Sequence, residues 1–255
     1  TLAEAGLNHV QITLESCRAE VHDGMVGRPG AFDQTVAGIE QALAGGIHTI
    51  TNTTLTLHNA DHALEIITFL DDLGLRTFAM NGIIHAGGGF NTPEAVPAGQ
   101  MAALLAAVRD ESAARDMRFL WYTVTEYCQL SPLALDLQPK RCNAAEYSIC
   151  IEPNGDVLPC QSYYVAAGNI LTDPWSDIWN SELFLSFRDR EENPELAGLP
   201  EACRDCPDLE VCGGGCRLER EARAGVRAAE RGCARSRVQP VESLHPVGSG
   251  RSQSS

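Results

Sequence analysis

The first half of the chain alternates between short β-branched or aromatic runs and longer stretches with helical spacing. The short runs predict four strands, at residues 9–14, 47–54, 76–81 and 119–124. Apolar residues three or four positions apart predict helices over residues 31–43, between residues 59 and 74, and over residues 101–108. Strands that are separated by single helices indicate βαβ units. We therefore expect an α/β fold with a parallel sheet, either open or curled into a barrel.

Two of the predicted helices have a distinct apolar face. The residues of these faces are Phe32, Val36, Ile39 and Leu43 in the first helix, and Leu64, Ile67 and Leu70 in the second. The first helix is expected to stop at Gly45-Gly46. Asn59 or Asp61 is expected to cap the second helix at its start, and Leu73-Gly74 to close it.

Polar residues stand at the ends of the first three predicted strands. They are Thr13, Glu15 and Ser16, then Asn52, Thr53 and Thr54, then Asn81. Ligands of parallel sheets bind at the carboxyl ends of the strands, so these residues are candidates for a binding site. Loop entry and capping also explain these residues, and the spacing by itself favours that interpretation over a binding site. The run Gly87–Gly89 lacks the GxGxxG spacing, and the chain contains no GxxxxGK[ST], HExxH or GxSxG motif.

Composition and charge narrow the functional classes. The 255 residues carry a formal net charge of −15, and Lys140 is the only lysine. Phosphate contacts need clustered lysine and arginine, so a nucleic-acid-binding protein is not expected. No apolar run approaches the roughly 18 residues of a membrane helix, so a membrane protein is not expected either. His58 and His62 would share a helix face, and without a nearby third ligand we expect them to be solvated or capping residues.

The ten cysteines are concentrated in the second half of the chain, where nine of them lie between Cys128 and Cys233. Such clustering is compatible with disulfides, a metal site or redox chemistry. The spacing is Cys142-x12-Gly155-x4-Cys160, then Cys203-x2-Cys206-x5-Cys212-x3-Cys216, and then Cys233. Residues 151–157 predict a hairpin with a type I′ turn at Asn154-Gly155, which would bring Cys142 and Cys160 together.

Sites made of thiolates alone favour zinc or iron–sulfur clusters. Zinc ribbons usually place their two CxxC pairs roughly a dozen or more residues apart. Here only five residues separate Cys206 from Cys212. Seven ligands of one type at unequal spacing fit two cubic iron–sulfur clusters better, and a structural zinc protein is the alternative.

This cysteine pattern resembles the SPASM motif, the C-terminal auxiliary-cluster domain of radical S-adenosylmethionine (SAM) enzymes. The stretches IEPNGDVLPCQSYY, GNILTDPWSDIWNS and CGGGC are similar to that family as well. Upstream, VQITLES, TITNTTLTLHN and FAMNGII resemble the fourth, fifth and sixth strands of the radical SAM barrel, and HDGMVGRPGAFDQTVAGI resembles the loop and helix after the fourth. The resemblance implies the later strands of a partial (β/α)6 TIM-like barrel over residues 1–125 and a small α+β SPASM domain over residues 126–236. Residues 237–255 are expected to form a disordered tail.

The resemblance also implies cofactors and their ligands. Two auxiliary [4Fe–4S] clusters would be held by Cys142, Cys160 and Cys216 in the first, and by Cys203, Cys206, Cys212 and Cys233 in the second. The fourth ligand of the first cluster is open between Cys150, Cys128 and the substrate. SAM would be bound by Thr13 and Glu15 on the fourth strand of the family barrel, and by Asn52 and Thr54 on the fifth.

The function implied by the resemblance is modification of a peptide or protein through a 5′-deoxyadenosyl radical, in the cytoplasm, with an electron donor such as flavodoxin or ferredoxin. Family members hold the SAM-cleaving third [4Fe–4S] cluster with a CxxxCxxC motif, and this chain has none. We therefore expect an N-terminally truncated part of a longer enzyme, inactive alone, with a split enzyme as the other explanation. The alternative function is a non-catalytic iron–sulfur protein for electron transfer or scaffolding.

Overall fold

A four-stranded parallel sheet forms the N-terminal part of the computed structural model, which describes residues 2–90 and 92–226. Cys233 and the predicted tail at residues 237–255 lie outside the described residues. The strands are β1 (His9–Thr13), β2 (His48–Thr54), β3 (Thr77–Asn81) and β4 (Arg118–Trp121), and they pair in the order β1-β2-β3-β4. All three pairings are parallel, which confirms the predicted α/β class with a parallel sheet.

Three helices cover one face of this sheet. They are α2 (Ala31–Ala44), α3 (Ala63–Asp72) and α4 (Ala98–Ala114). Ile39, Ile67 and Leu105 of these helices are fully buried in one cluster with Phe78 of β3. Phe78 stacks on Phe119 of β4 with ring centroids 5.4 Å apart. Burial of these side chains stabilises the sheet, at roughly 1.5–3 kcal/mol for each large apolar residue.

The predicted start of the second helix is wrong in detail. A 3-10 turn (Ala60–His62) precedes α3, and the side chain of Asn59 does not cap the helix. Leu64 is 39% exposed, whereas Ile66 is fully buried. The buried face consists of Ala63, Ile66, Ile67 and Leu70, which are spaced at i, i+3, i+4 and i+7, so Leu64 falls outside it. A two-turn helix α1 (Ala19–Val26) also occupies the region expected to be a loop after β1.

The C-terminal part is built around a small antiparallel sheet. Its strands β5 (Cys150–Ile151), β6 (Asp156–Leu158) and β7 (Gly168–Asn169) pair in chain order. Five short helices follow, namely α5 (Trp175–Trp179), α6 (Glu182–Arg188), α7 (Glu201–Arg204), α8 (Leu209–Cys212) and α9 (Arg217–Val226). No helix among the described residues is long and apolar enough to span a membrane.

The predicted hairpin is present between β5 and β6, but its turn is not type I′. The amide of Gly155 donates to the carbonyl of Glu152 at 2.8 Å. Gly155 has a φ of +93°, and Asn154 is not in the left-handed region. A type I′ turn needs positive φ at both central residues. Pro153 occupies the first central position of the observed turn, and its ring holds φ negative.

Candidate functional site

An open cleft of about 690 Å³ lies at the carboxyl ends of β1 and β2. Its walls come from the loop after β1, helix α1, the end of β2 and the segment after β3. Three carboxylates line it, from Glu15, Glu20 and Glu94. His58 also lines the cleft, with its Nε2 3.1 Å from Oε1 of Glu94. The cleft therefore presents an acidic surface, suited to a cationic ligand with hydroxyl and ammonium donors.

Glu15 is held in place by strand β2 and by helix α1. Its Oε2 accepts a hydrogen bond from the amide of Thr54 at 2.7 Å, and its own amide donates to Nδ1 of His22 at 3.1 Å. Burial raises the pKa of the Glu15 carboxyl above its usual range, and the hydrogen bond from Thr54 offsets part of that shift. The structure thus joins Glu15 and Thr54 directly.

Thr13 and Asn52 lie side by side on the face of the sheet opposite the helices. Nδ2 of Asn52 donates to Oδ1 of Asn81 at 2.7 Å. Oδ1 of Asn52 is buried and has no hydrogen-bond partner among the described residues. An orphaned acceptor is costly, so this atom is suited to a donor from a bound ligand. Of the four predicted SAM residues, Glu15 and Thr54 line the cleft, whereas Thr13 and Asn52 lie beside each other at the ends of the same two strands without lining it.

A buried network that the sequence did not reveal supports this end of the sheet. Nδ2 of Asn59 donates to the carbonyls of Glu15 (2.7 Å) and Thr54 (2.9 Å), which ties the ends of the two strands together. Ser16 and Nε2 of His62 are 2.8 Å apart, and Nδ1 of His62 is 2.8 Å from Asp61. His62 is only 2% exposed, so the prediction of a solvated or capping histidine is wrong for it. His58 is exposed, as expected.

We predict that Ser16→Ala destabilises the chain by about 1–3 kcal/mol, because Nε2 of the buried His62 loses its partner. Urea unfolding of the cluster-free chain measures this cost. Ser176→Ala is the control, since Ser176 is exposed, and its effect should stay within about 0.5 kcal/mol. Equal costs for the two variants would contradict the assigned network.

Three cysteines distant in sequence come together in the C-terminal part. Cys142 and Cys160 pack on the same apolar cluster as Phe184 and Phe187. Burial raises the pKa of Cys160 and of Cys216, and the charge of Cys142 adds to both shifts, so Cys142 lies within electrostatic range of both. This is the set of ligands predicted for the first cluster.

Backbone amides point at two of these sulfurs. The amides of Ser162 and Tyr163 donate to Cys160, and those of Leu218 and Glu219 donate to Cys216. Cys216 directly precedes α9, so its sulfur receives the unsatisfied amides of the first helical turn. Burial nevertheless raises the pKa of Cys216 to about 11. Sulfurs that accept amide hydrogen bonds and are shielded from water suit an iron–sulfur cluster.

The two candidates for a fourth ligand differ in position. Cys150, on β5, is near enough to Cys160 for its charge to raise the pKa of Cys160. Cys128 is exposed, in the segment after β4. The structure therefore places Cys150 beside the first group of cysteines.

The described cysteines of the second group lie on helices α7 and α8 and on the segment between them. Cys203 and Cys206 pack against a small cluster of Ala197, Leu199 and Leu209. Cys212 is buried, and its sulfur accepts a hydrogen bond from the amide of Tyr127 at 3.3 Å. Among the described residues, no three His, Cys, Asp or Glu side chains converge closely enough to hold a single metal ion. A cubic cluster has wider spacing, because its own iron and sulfide separate the thiolates.

Three consecutive glycines join the two groups. Gly213, Gly214 and Gly215 have φ of +59°, +71° and +72°. A Cβ on Gly215 would lie 2.8 Å from the backbone nitrogen of Glu126. Glycine is therefore required to let the chain pass from Cys212 to Cys216 against the segment that follows β4.

Both the parallel sheet and the cysteine-rich part of the chain are similar to known proteins. The SPASM family model, described as an iron–sulfur cluster-binding domain, matches residues 142–207. This chain is a relative of the radical SAM enzymes that carry a SPASM domain. Similar proteins include the AdoMet-dependent heme synthase of Methanosarcina barkeri (27% identical over 88% of this chain and 66% of that protein) and the PqqA peptide cyclase of Methylocella silvestris (28% identical over 91% and 62%).

Solved structures of this family share the fold. Streptococcus suis SuiB covers 83% of this chain and 51% of its own, with a TM-score of 0.64 at 16% identity. The structure of anSMEcpe with bound AdoMet and the Kp18Cys peptide covers 85% and 61%, with a TM-score of 0.58 at 15% identity. The chain spans about two thirds or less of the length of the relatives named here. The similarity to these proteins thus extends over the parallel sheet as well as the cysteine-rich part.

Proposed function

We propose that this chain is part of an enzyme that modifies a peptide or protein through a 5′-deoxyadenosyl radical. The observation that carries the proposal is the grouping of Cys142, Cys160 and Cys216, which are partly buried, in a chain with an acidic cleft at its strand ends. Thiolates shielded from water suit an iron–sulfur cluster, and the cleft suits the cationic SAM. This combination supports a radical SAM enzyme over a general electron carrier.

Each group of cysteines would hold one auxiliary [4Fe–4S] cluster. The ligands are Cys142, Cys160 and Cys216 for the first, with Cys150 as the fourth, and Cys203, Cys206, Cys212 and Cys233 for the second. When bound, SAM and a third, reduced [4Fe–4S] cluster supply the 5′-deoxyadenosyl radical that abstracts a substrate hydrogen.

The residues at the strand ends would orient SAM. The carboxylate of Glu15 keeps one oxygen on Thr54, and its other oxygen is available to accept hydrogen bonds from a ligand in the cleft. Oδ1 of Asn52 would accept a further donor. Thr13, beside Asn52, supplies an exposed hydroxyl on the same face. The network of Asn59 and His62 holds the two strand ends at a constant separation.

A second cleft of about 270 Å³ supports a peptide as the substrate. It lies between the loop at residues 85–90 and the segment after Cys160. Phe90, Tyr164 and Val165 line it and are 54%, 69% and 53% exposed. The segment from Ile83 to Phe90 contributes to both clefts, so an extended chain could cross from one to the other. Exposed apolar side chains around a groove are typical of a surface that binds a partner.

The proposed chemistry also requires an electron donor and a reducing environment. Reduction of the clusters requires a one-electron donor such as flavodoxin or ferredoxin. Oxygen damages exposed iron–sulfur clusters, so we place the protein in the cytoplasm under reducing conditions.

Anaerobic reconstitution with iron and sulfide tests the proposal. We expect a brown protein that absorbs near ~400 nm and retains about eight irons per chain, four for each cluster. A colourless chain that retains two zinc ions would overturn it in favour of structural zinc. Full iron with no binding of SAM would instead favour a non-catalytic electron-transfer or scaffold protein.

Removing the charge of Glu15 should weaken SAM binding. We predict that Glu15→Gln lowers the affinity for SAM about tenfold or more, because a hydrogen bond to a charged group contributes about 1.5–3 kcal/mol. Isothermal titration calorimetry measures the change, with Glu40→Gln, an exposed glutamate on α2, as control. Burial raises the pKa of Glu15, so its charge opposes folding at neutral pH, and the variant should not unfold more easily at pH 7. Unchanged affinity would contradict the role of Glu15.

A further inference from the structure

Two arginines of the C-terminal part are buried without an acidic partner. Arg190 is 4% exposed and Arg220 is 9% exposed. Arg190 donates through Nε to the carbonyl of Phe187, and Arg220 donates to the carbonyls of Gly214, Gly215 and Ala197. Among the described residues, no carboxylate lies within ion-pairing distance of either guanidinium. Burying an uncompensated guanidinium is strongly unfavourable, so a nearby negative group is expected.

Within the part of the chain that the structure describes, Arg190 has more buried nitrogens without a hydrogen-bond partner than Arg220 does. Both of its terminal nitrogens, Nη1 and Nη2, are buried and have no hydrogen-bond partner among the described residues. Nε of Arg220 is likewise buried and unpartnered. Buried polar groups are hydrogen-bonded in almost all native proteins. The unpartnered nitrogens of Arg190 therefore indicate that an acceptor completes this site.

Both arginines contact segments that adjoin the two groups of cysteines. Nη1 of Arg190 is 2.7 Å from the position that a Cβ on Gly213 would take, and Gly213 directly follows Cys212. Arg190 also follows α6, whose Phe184 and Phe187 pack with Cys142 and Cys160. Arg220 binds the carbonyl of Ala197, which packs with Cys203 and Cys206. Negative charge on either group of thiolates would therefore act on these guanidinium groups.

The neighbouring charged residues already have partners. Arg141, which also approaches Gly213, pairs with Glu191 at 2.6 Å. Arg217 pairs with Glu221 at 2.7 Å, and Glu126 pairs with Arg223. These carboxylates are engaged with other arginines, so they do not neutralise Arg190.

We propose that Arg190, assisted by Arg220, compensates the negative charge of the iron–sulfur clusters and raises their reduction potentials. The inference rests on the proposed function, since it requires clusters at these cysteines. A [4Fe–4S] cluster with four thiolates carries a net charge of about −2 when oxidised, and one more negative charge when reduced. A buried positive charge stabilises the reduced form more than the oxidised form. Charge and hydrogen bonds to sulfur are established determinants of cluster potential.

Redox titration of the reconstituted chain tests this proposal. Dithionite supplies the single electron for each cluster, and electron paramagnetic resonance measures the reduced fraction at each poised potential. In Arg190→Met we expect the reduced-to-oxidised ratio at fixed potential to fall at least tenfold, a shift of about 59 mV to more negative values for one electron. Arg190→Lys keeps the charge and should retain most of the potential. Arg76→Met, which removes an exposed arginine at the start of β3, should show no shift.

Thermal unfolding separates this role from a merely structural one. In the cluster-free chain, Arg190→Met removes an uncompensated buried charge, so its unfolding midpoint should stay equal or rise. In the loaded chain it should fall, because the clusters lose their counter-charge. A lower midpoint in both forms, or a wild-type potential in a variant with full iron content, would overturn the proposal. Iron missing from the unsubstituted chain would instead refute the proposed function, so the two failures are distinguishable.

Discussion

Replacing Cys216 by alanine is expected to remove about four of the roughly eight irons that we propose for the chain, because a cubic cluster needs its protein thiolates. Cys216 is partly buried within electrostatic range of Cys142, and backbone amides of Leu218 and Glu219 are directed at its sulfur. Cys203→Ala should remove the other half. Iron and sulfide analysis after anaerobic reconstitution and desalting measures both losses, and the absorbance near ~400 nm should fall in proportion.

Two further cysteine variants make this experiment specific. Cys17→Ala is the matched control, because Cys17 packs against the core of the parallel sheet and should leave the iron content unchanged. Cys150→Ala tests the fourth ligand of the first cluster, and we expect it to bind less iron than the control. Full iron content in Cys216→Ala would contradict the assigned ligands.

Substituting Gly215 by alanine is expected to destabilise the chain by about 3 kcal/mol and to impair iron binding. Its φ of +72° disfavours an L side chain by about 1–2 kcal/mol. The new Cβ would also lie 2.7 Å from Cγ and 2.8 Å from the backbone nitrogen of Glu126. Relief of such overpacking moves backbone and costs about 1–3 kcal/mol more. Because Cys216 is the next residue, the displacement should also separate the first group of sulfurs.

Gly27→Ala provides the comparison for this effect. Gly27 has nearly the same φ, +70°, and nothing lies within 4 Å of its Cβ position. Its substitution should cost only about 1 kcal/mol, since only the backbone penalty applies and a stiffer unfolded chain offsets part of it. Urea unfolding of both variants measures the difference. Equal costs would show that Gly215 does not pack as tightly as the structure indicates.

The strands and most helices could be predicted because their patterns are local. The β-branched residues of the run 47–54 predict a strand by themselves, and Ile50 of that run is buried. The spacing of Phe32, Ile39 and Leu43 likewise predicts a helix without any other part of the chain. The predictions are wrong for residues whose type favours a local role but whose side chain makes a contact with a distant part of the chain. Asparagine is a residue type typical of helix caps, yet the side chain of Asn59 joins the ends of β1 and β2, because two carbonyls there need a donor. His62 is buried for a similar reason, since its Nε2 lies 2.8 Å from Ser16 in the segment that follows the neighbouring strand β1.

The cysteine spacing alone predicted an iron–sulfur protein, because many thiolates at short, unequal intervals fit cubic clusters better than a zinc ribbon. The sequence also determined the parallel sheet and the polar residues at its strand ends. Only the tertiary structure decided that Cys142 and Cys150 lie within electrostatic range of Cys160, and that, among the residues described, Arg190 is buried without an ion pair to a carboxylate. These properties depend on contacts between residues up to dozens of positions apart. Burial and charge at such contacts are set by the packing of the whole chain, which no local pattern encodes.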